Sequence, residues 1–130
     1  MRKAQVSGFT LIELLIVVVI IGILGSIAIP KFSSMRTKSY IASVTADLKN
    51  FATLQEVYLS DVHTYASNTV TLDMTLSANV TITVSEATGT GWAATGTHTG
   101  LAAQYCGIYF GDADATAAAP AAFAGSVACN

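Results

Sequence analysis

One stretch of sequence decides the architecture of this chain: Phe9–Ile29, which reads FTLIELLIVVVIIGILGSIAI. It is apolar around the whole circumference of a helix and carries a single charged residue, Glu13. Its length matches the roughly 20 apolar residues that cross the ~30 Å hydrocarbon core of a bilayer. A helix lying on a membrane surface would need a polar face, and this stretch has none. The sequence therefore predicts a transmembrane helix.

Two alternatives for this stretch are a buried core helix and a secretory signal peptide. A chain of 130 residues has too little mass to enclose so long a helix on every side. A signal peptide fits the basic start and the small residues at 25–28. Glu13 argues against it, because a carboxylate deep in a bilayer costs about 2.5–3.5 kcal/mol on insertion scales. A residue of this kind usually has a partner or a function, even near the end of a span.

Beyond Pro30 the apolar pattern becomes one-sided. Ile41, Val44, Leu48 and Phe51 recur at the spacing of one helix face, and polar residues fill the other sides. Proline removes a backbone donor and disfavours helix in the residue before it. We therefore expect one helix from about residue 10 to about residue 59, kinked at Pro30, transmembrane in its first half and amphipathic in its second.

After Ser60 the period of the sequence changes from helical to that of a strand. Two alternating segments separated by a short turn predict an antiparallel hairpin, and two further segments are weaker strand candidates. The tail from Asp112 is rich in Ala and Gly and predicts a loop. The hairpin strands are expected at 69–76 and 80–85 with the turn at 77–79, and the weaker strands at 92–97 and 101–110.

Charge is scarce and unevenly distributed. Charged residues make up 11% of the chain, against about 25% in an ordinary soluble domain, and hydrophobic residues 52%. All six Lys and Arg residues lie at or before Lys49, whereas the acidic residues other than Glu13 and Asp47 follow it. A surface without Lys or Arg cannot neutralise phosphates, so nucleic-acid binding by the C-terminal part is not expected.

The two cysteines, Cys106 and Cys129, are too few for a zinc site, which needs about four ligands. A disulfide and two buried thiols both remain possible on the sequence alone. Asp112 and Asp114 are a weak calcium candidate, since Ca²⁺ takes six to eight oxygen ligands. Asp61 and His63 have no nucleophile signature near them, so we interpret them as solvated polar residues.

The segment Gly8-Phe9-Thr10-Leu11-Ile12-Glu13 and the apolar run after it resemble the N-terminus of type IV prepilins and pseudopilins with a short, class III-type leader. The resemblance implies that prepilin peptidase cuts the Gly8–Phe9 bond and that Phe9 becomes an N-methylated N-terminus. It also implies that Glu13 pairs with the terminal amine of a neighbouring subunit. Gly22, Gly25 and Pro30 fall where subunits of this family commonly lose regular helix in the filament.

The same resemblance implies the organisation of the whole chain. Residues 1–8 would be a cleaved leader, 9–29 the transmembrane and filament-core helix, and 30–130 an amphipathic helix with a β-rich head. The fold expected is α+β and pilin-like, with the kinked helix packed on three or four antiparallel strands. Because the head would lie in an oxidising compartment, a disulfide between Cys106 and Cys129 is expected.

The function implied is that of a structural subunit of a type IV pilus, without enzymatic activity or cofactor. Its expected partners are further copies of itself, prepilin peptidase, the pilus assembly machinery and, before assembly, the inner membrane. The precursor would then move from that membrane to an extracellular pilus or a periplasmic pseudopilus. The alternatives are a pseudopilin of a type II secretion system and a minor pilin that acts as a binding module.

Overall fold

The computed structural model describes residues 8–130. The elements are α1 Leu11–Val62, β1 Val80–Ala87, β2 Gly91–His98, β3 Tyr105–Gly111, a 3-10 helix Ala115–Ala118, and β4 Ala128–Cys129. The sheet order is β1-β2-β3-β4, and every neighbouring pair is antiparallel. This arrangement confirms the predicted α+β fold class, with a long N-terminal helix and a four-stranded antiparallel sheet. The chain divides into two units, Met1–Arg36 and Thr37–Asn130.

The described part of the first unit has no core of its own. Every residue from Gly8 to Arg36 is exposed except Gly25, which is half-buried. Within residues 8–130, α1 contains the one segment that is long and apolar enough to cross a membrane, and none of that segment is buried. So large an apolar surface is stable where lipid or other apolar helices cover it.

The second unit has a core between its part of α1 and one face of the sheet. Val44, Leu48 and Phe51 follow each other at helical spacing and are fully buried. They pack in one cluster with Ile82 of β1, Trp92 of β2 and Ile108 of β3. The Trp92 ring meets Phe51 edge-on, with 5.1 Å between the ring centroids. The amphipathic half of the predicted helix therefore packs on the sheet as expected.

Two glycines allow close contact on the two faces of the sheet. A Cβ atom at Gly96 would lie 2.7 Å from Val44 Cγ1, so only glycine lets β2 approach the helix this closely. On the opposite face, a Cβ atom at Gly107 would overlap the carbonyl of Ala118. Ala118 belongs to a second, smaller cluster built from short side chains, which are Ala93, Ala113, Ala118 and Ala121.

The predicted hairpin of residues 69–76 and 80–85 is wrong. Residues 69–73 form turns, and the side chain of Asn68 fixes them by accepting hydrogen bonds from Thr71 N (2.8 Å) and Thr71 Oγ1 (2.9 Å). β1 pairs instead with β2, through a turn in which Thr88 N donates to Gly91 O at 2.9 Å. The alternating residues of the first segment, Leu72, Met74 and Leu76, still pack against the core.

Other boundaries also differ from the sequence prediction. The helix continues to Val62 and ends at His63, whose φ of 59° leaves the helical region. The weaker strand predicted at 101–110 begins only at Tyr105. The tail predicted as loop contains the 3-10 helix and the two-residue strand β4.

Candidate functional site

The N-terminal end of α1 is organised by a reciprocal pair of residues, Thr10 and Glu13. Thr10 N and Thr10 Oγ1 both donate to Glu13 Oε2, at 2.8 and 2.7 Å, and Glu13 N donates back to Thr10 Oγ1 at 3.3 Å. This is a capping box, in which the first residues of a helix satisfy each other's polar groups. Our sequence analysis missed this function of Thr10, although the spacing Thr-x-x-Glu before an apolar run is its known signature.

The capping box occupies only one oxygen of the Glu13 carboxylate. Among residues 8–130, Glu13 Oε1 accepts no hydrogen bond, and the side chain is exposed. The Thr10 contacts fix the orientation of the carboxylate and leave this second oxygen for a donor from outside the described chain. Glu13 therefore combines a defined position with an unused acceptor.

The predicted cleavage bond lies just before this box. Gly8 and Phe9 have no regular secondary structure, and both are exposed, Phe9 to 84%. A Cβ atom at Gly8 would meet nothing within 4 Å, so the bond is sterically open. Residues 1–7 of the predicted leader, with Arg2 and Lys3, lie outside the described residues. Cleavage at this bond and methylation of Phe9 stay predictions.

Gly22, Gly25 and Pro30 all lie inside α1, which is helical throughout Leu11–Val62. Gly22 and Gly25 have no side chain to hold neighbouring turns together, and a Cβ atom at either would meet nothing within 4 Å. Pro30 leaves the carbonyl of Ser26 without its usual helical donor. A loss of helix at these positions in a filament stays a prediction.

A disulfide joins the two cysteines. Cys106 in β3 and Cys129 in β4 are register partners in the sheet, and their sulfurs are bonded across a sequence separation of 23. Cys106 is fully buried in the main core, so the bond fixes the end of the chain to the centre of the second unit.

Asp112 and Asp114 are held by donors of the protein. Asp112 Oδ2 accepts from Thr90 Oγ1 at 2.8 Å, and Asp114 Oδ1 accepts from Thr116 N at 2.8 Å as the cap of the 3-10 helix. The bonds from Thr116, above all that from its backbone N–H, hold the pKa of the Asp114 carboxyl below its ordinary value. Within residues 8–130, no group of three or more His, Cys, Asp or Glu is arranged to hold a metal ion.

Comparison with known proteins identifies the family of this chain. Residues 3–29 match the family model described as the prokaryotic N-terminal methylation motif. The chain is 38% identical to the type IV wide pilus major component PilA4 of Thermus thermophilus over 104 residues. These residues are 77% of this chain and 78% of that protein. The chain belongs to the type IV pilin family.

Other relatives of this pilin match it over shorter segments. The type II secretion system core protein G of Pseudomonas aeruginosa is 37% identical over 67 residues, which are 52% of this chain and 47% of that protein. The type IV major pilin protein PilA of Myxococcus xanthus is 46% identical over 59 residues, which are 45% of this chain and 27% of that protein. The chain thus spans about half or less of these two relatives.

Two buried polar side chains of the pilin's helix hold the segment between α1 and β1, and our sequence analysis missed both. Asp47, 4% exposed, accepts from Ser77 N at 2.8 Å and from Ser77 Oγ at 3.0 Å. Gln55, fully buried, donates to Ala66 O at 2.7 Å and accepts from Ala66 N at 2.8 Å. These bonds supply the backbone partners that a strand would otherwise provide.

Proposed function

We propose that this chain is the precursor of a structural subunit that polymerises into a type IV pilus after prepilin peptidase removes residues 1–8. The observation that carries the proposal is the position of Glu13. Its carboxylate is oriented by Thr10, has one unused oxygen, and lies just after an exposed Gly8–Phe9 bond at the start of an apolar helix. A passive membrane anchor needs neither the charge nor its orientation.

Cleavage would supply the missing partner of Glu13. It converts the amide nitrogen of Phe9 into a cationic amine, N-methylated as in the family, at the end of the apolar helix. A lone carboxylate and a lone amine are both costly in a medium of low dielectric constant, and pairing them between copies lowers the cost of both. Because the apolar segment of each mature copy has one carboxylate, Glu13, and one terminal amine, pairing between staggered copies also fixes the register of the filament.

The exposed apolar surface of residues 9–29 would provide the driving force for assembly. In the precursor this surface lies in the inner membrane, with residues 30–130 outside it. In the filament the same Leu, Ile and Val side chains pack against those of other copies, with the assembly machinery moving subunits between the two environments. The protein acts by assembling, and we propose no catalytic activity for it.

The first test of this function is the chemistry of the mature N-terminus and the form of the product. Mass spectrometry of the purified protein should give a chain that begins at methylated Phe9, and electron microscopy of sheared cells should show filaments built of it. A chain that still begins at Met1, or that remains monomeric in the cell envelope under all conditions, would contradict the proposal.

The second test separates the charge of Glu13 from its capping function. Glu13→Gln keeps an acceptor for the two Thr10 donors, because Gln also forms capping boxes, but it cannot neutralise an amine. We expect both Glu13→Gln and Glu13→Ala to insert into the membrane and to block or disorder polymerisation. The matched control, Glu56→Gln, removes an exposed carboxylate of the second unit and should leave filaments intact. Normal filaments from Glu13→Gln would exclude charge pairing as the mechanism.

A second candidate function is that of a pseudopilin, and the similarity to a type II secretion core protein G favours it specifically. Such a subunit would form a periplasmic pseudopilus in place of a surface fibre. Deletion of the protein with measurement of both surface filaments and protein secretion distinguishes the two. Loss of filaments with intact secretion supports the pilus, and the reverse result supports the pseudopilus. The disulfide near the C-terminus, in a region where pseudopilins often carry calcium, favours the pilus.

A further inference from the structure

The charges of the second unit are segregated and unpaired. Between residues 37 and 130 the Lys and Arg residues are Lys38 and Lys49 alone, both exposed. Neither forms an ion pair with a described residue, and neither do the acidic residues of this unit. Of the acids, Asp47 is buried and bound to Ser77, and the others are exposed or half-buried, namely Glu56, Asp61, Asp73, Glu86, Asp112 and Asp114.

Contacts between helix and sheet define two ends of this unit. At one end Tyr40 stacks on His98, the last residue of β2, with 4.1 Å between the ring centroids. Toward the other end Phe51 meets Trp92, the second residue of β2, and beyond it Tyr65 N donates to Thr88 O at 3.0 Å. Tyr40 and Phe51 are about 16 Å apart along the helix axis at 1.5 Å per residue. We call these the Tyr40 end and the Tyr65 end.

The Tyr65 end is negative. Glu86 precedes the β1–β2 turn, Asp112 accepts from Thr90 in that turn, and Asp114 N donates to Glu86 Oε2 at 3.0 Å, so the three acids lie together. Asp61 lies at the C-terminal end of α1, whose last turn contains no basic residue. The unpaired carbonyls of a helix C-terminus carry partial negative charge, so they increase the negative charge of this end.

The Tyr40 end is positive. Lys38 lies two residues before Tyr40 and is exposed. No acidic residue lies between Thr37 and Ala46 of the helix. Asn130, whose side chain accepts from Tyr105 N at 2.8 Å, lies on this side of the sheet.

We propose that this polarity is an interaction surface for a second copy of the chain: Lys38, at the Tyr40 end of one copy, docks against the acidic Tyr65 end of the next. The inference rests on the proposed filament function and specifies which surfaces of the heads meet. Opposite ends attract and like ends repel, which selects a head-to-tail contact. In a head-to-tail contact each copy uses one end for its partner and keeps the other end free. The contact can therefore be repeated into an open chain of copies with the same orientation.

Carbodiimide cross-linking of the full-length protein tests this contact directly, because the reagent joins a Lys amine only to a carboxylate that it touches. No Lys–carboxylate pair is in contact within the described chain. Mixing isotopically light and heavy copies identifies bonds between copies by mass spectrometry. We expect Lys38 to be linked mainly to Asp61, Glu86, Asp112 or Asp114 of another copy. Links dominated by Lys49, or no links from Lys38, would overturn the proposal.

Charge-reversal variants test whether this contact contributes to filament formation. Lys38→Glu and Asp61→Lys should each lower the fraction of protein that sediments as filaments at 0.15 M NaCl by about 1.5- to 5-fold, the effect of an exposed ion pair worth 0.2–1 kcal/mol. The combined variant should recover most of this loss. Lys49→Glu is the matched control, because it makes the same change of charge midway along the unit, and it should have a smaller effect. Equal losses for Lys38→Glu and Lys49→Glu would contradict a defined contact.

The two proposals can fail separately. If wild-type protein forms no filaments, the proposed function fails, and cross-links from Lys38 to the Tyr65 end in membranes would still support the surface. If filaments form and those cross-links are missing, the surface is wrong and the function stands. Salt provides an internal check, because raising NaCl from 0.05 to 0.5 M shortens the screening length. The increase should weaken wild-type filaments more than those of Lys38→Gln, which lacks the charge of Lys38.

Discussion

Replacement of Gln55 by leucine is a sharp test of how the second unit holds the segment that follows its helix. The amide of Gln55 bonds both backbone polar groups of Ala66, which is itself only 2% exposed. Gln55→Leu keeps the size of the side chain and removes both bonds. The N–H and C=O of Ala66 are then buried without a partner, and Tyr65, next to them in the core, loses its fixed backbone.

The magnitude follows from those two groups. A buried polar group without a hydrogen bond costs about 1–3 kcal/mol, so the pair costs about 2–6 kcal/mol. Burying a leucine side chain offsets about 1.5–3 kcal/mol of this loss. The difference of the two ranges is about 0.5–3 kcal/mol, and we expect Gln55→Leu to lower the free energy of unfolding by this amount. Gln104→Leu, the same exchange at an exposed position, should change it by less than about 0.5 kcal/mol.

Urea unfolding of the full-length protein in detergent micelles measures this change. Trp92 is the one tryptophan of the chain and is 1% exposed between Phe51 and Tyr65, so its fluorescence reports on this core. The midpoint should fall while the slope with denaturant stays constant, since the folded state remains compact. A Gln55→Leu variant as stable as Gln104→Leu would refute the reasoning that these two bonds anchor the segment.

Three further predictions concern other contacts. Burial, and after it the hydrogen bond to Glu56 Oε1 at 3.1 Å, raises the pKa of Tyr65 above 10.0. The resulting stability is complete below pH 10 and is lost as the pH rises through the folded-state pKa, at up to about 1.4 kcal/mol per pH unit. Tyr65→Phe should therefore lose less stability than wild type between pH 9 and pH 11 in urea titrations, and equal losses would contradict this. Reduction of the Cys106–Cys129 disulfide, which closes a loop of sequence separation 23, should lower stability by about 3 kcal/mol in the same assay, and an unchanged midpoint in reductant would show that the bond is dispensable. Thr10→Val removes the hydroxyl of the capping box at a cost of about 0.5–2 kcal/mol, so the amide of Glu13 should exchange its hydrogen faster than in wild type while that of Leu48 is unaffected.

The sequence predicts the helix and its N-terminal site well because their signals are local. The length of the apolar run, the single charge at Glu13 and the one-sided pattern after Pro30 each depend on near neighbours in the chain. Gln55 was also within reach, since it follows Leu48 and Phe51 at i+7 and i+4 and so lies on the buried face of α1. A polar residue at such a position needs a partner, and this signal was overlooked.

The strands were harder to predict because a strand requires a partner as well as a pattern. Apolar and polar residues alternate over 69–76, and Leu72, Met74 and Leu76 do pack inward. The backbone of this segment, however, forms hydrogen bonds with Asn68 and with turn residues, and the next residue, Ser77, bonds to Asp47. Alternation therefore indicated burial correctly and pairing incorrectly. β4 depends on its disulfide and register partner in β3, which no local pattern could show.

The distribution of buried residues explains why assembly and folding can be tested separately in this protein. The described part of the first unit has no buried residue, so its stability depends on whatever covers it, lipid or other helices. The second unit buries its own apolar and aromatic residues and contains the disulfide. A change at Glu13 alters no contact of that core, whereas a change at Gln55 does. Loss of filaments from a Glu13 variant that keeps wild-type Trp92 fluorescence therefore arises outside the core of the second unit, and a mature N-terminus at Phe9 in that variant assigns the loss to assembly.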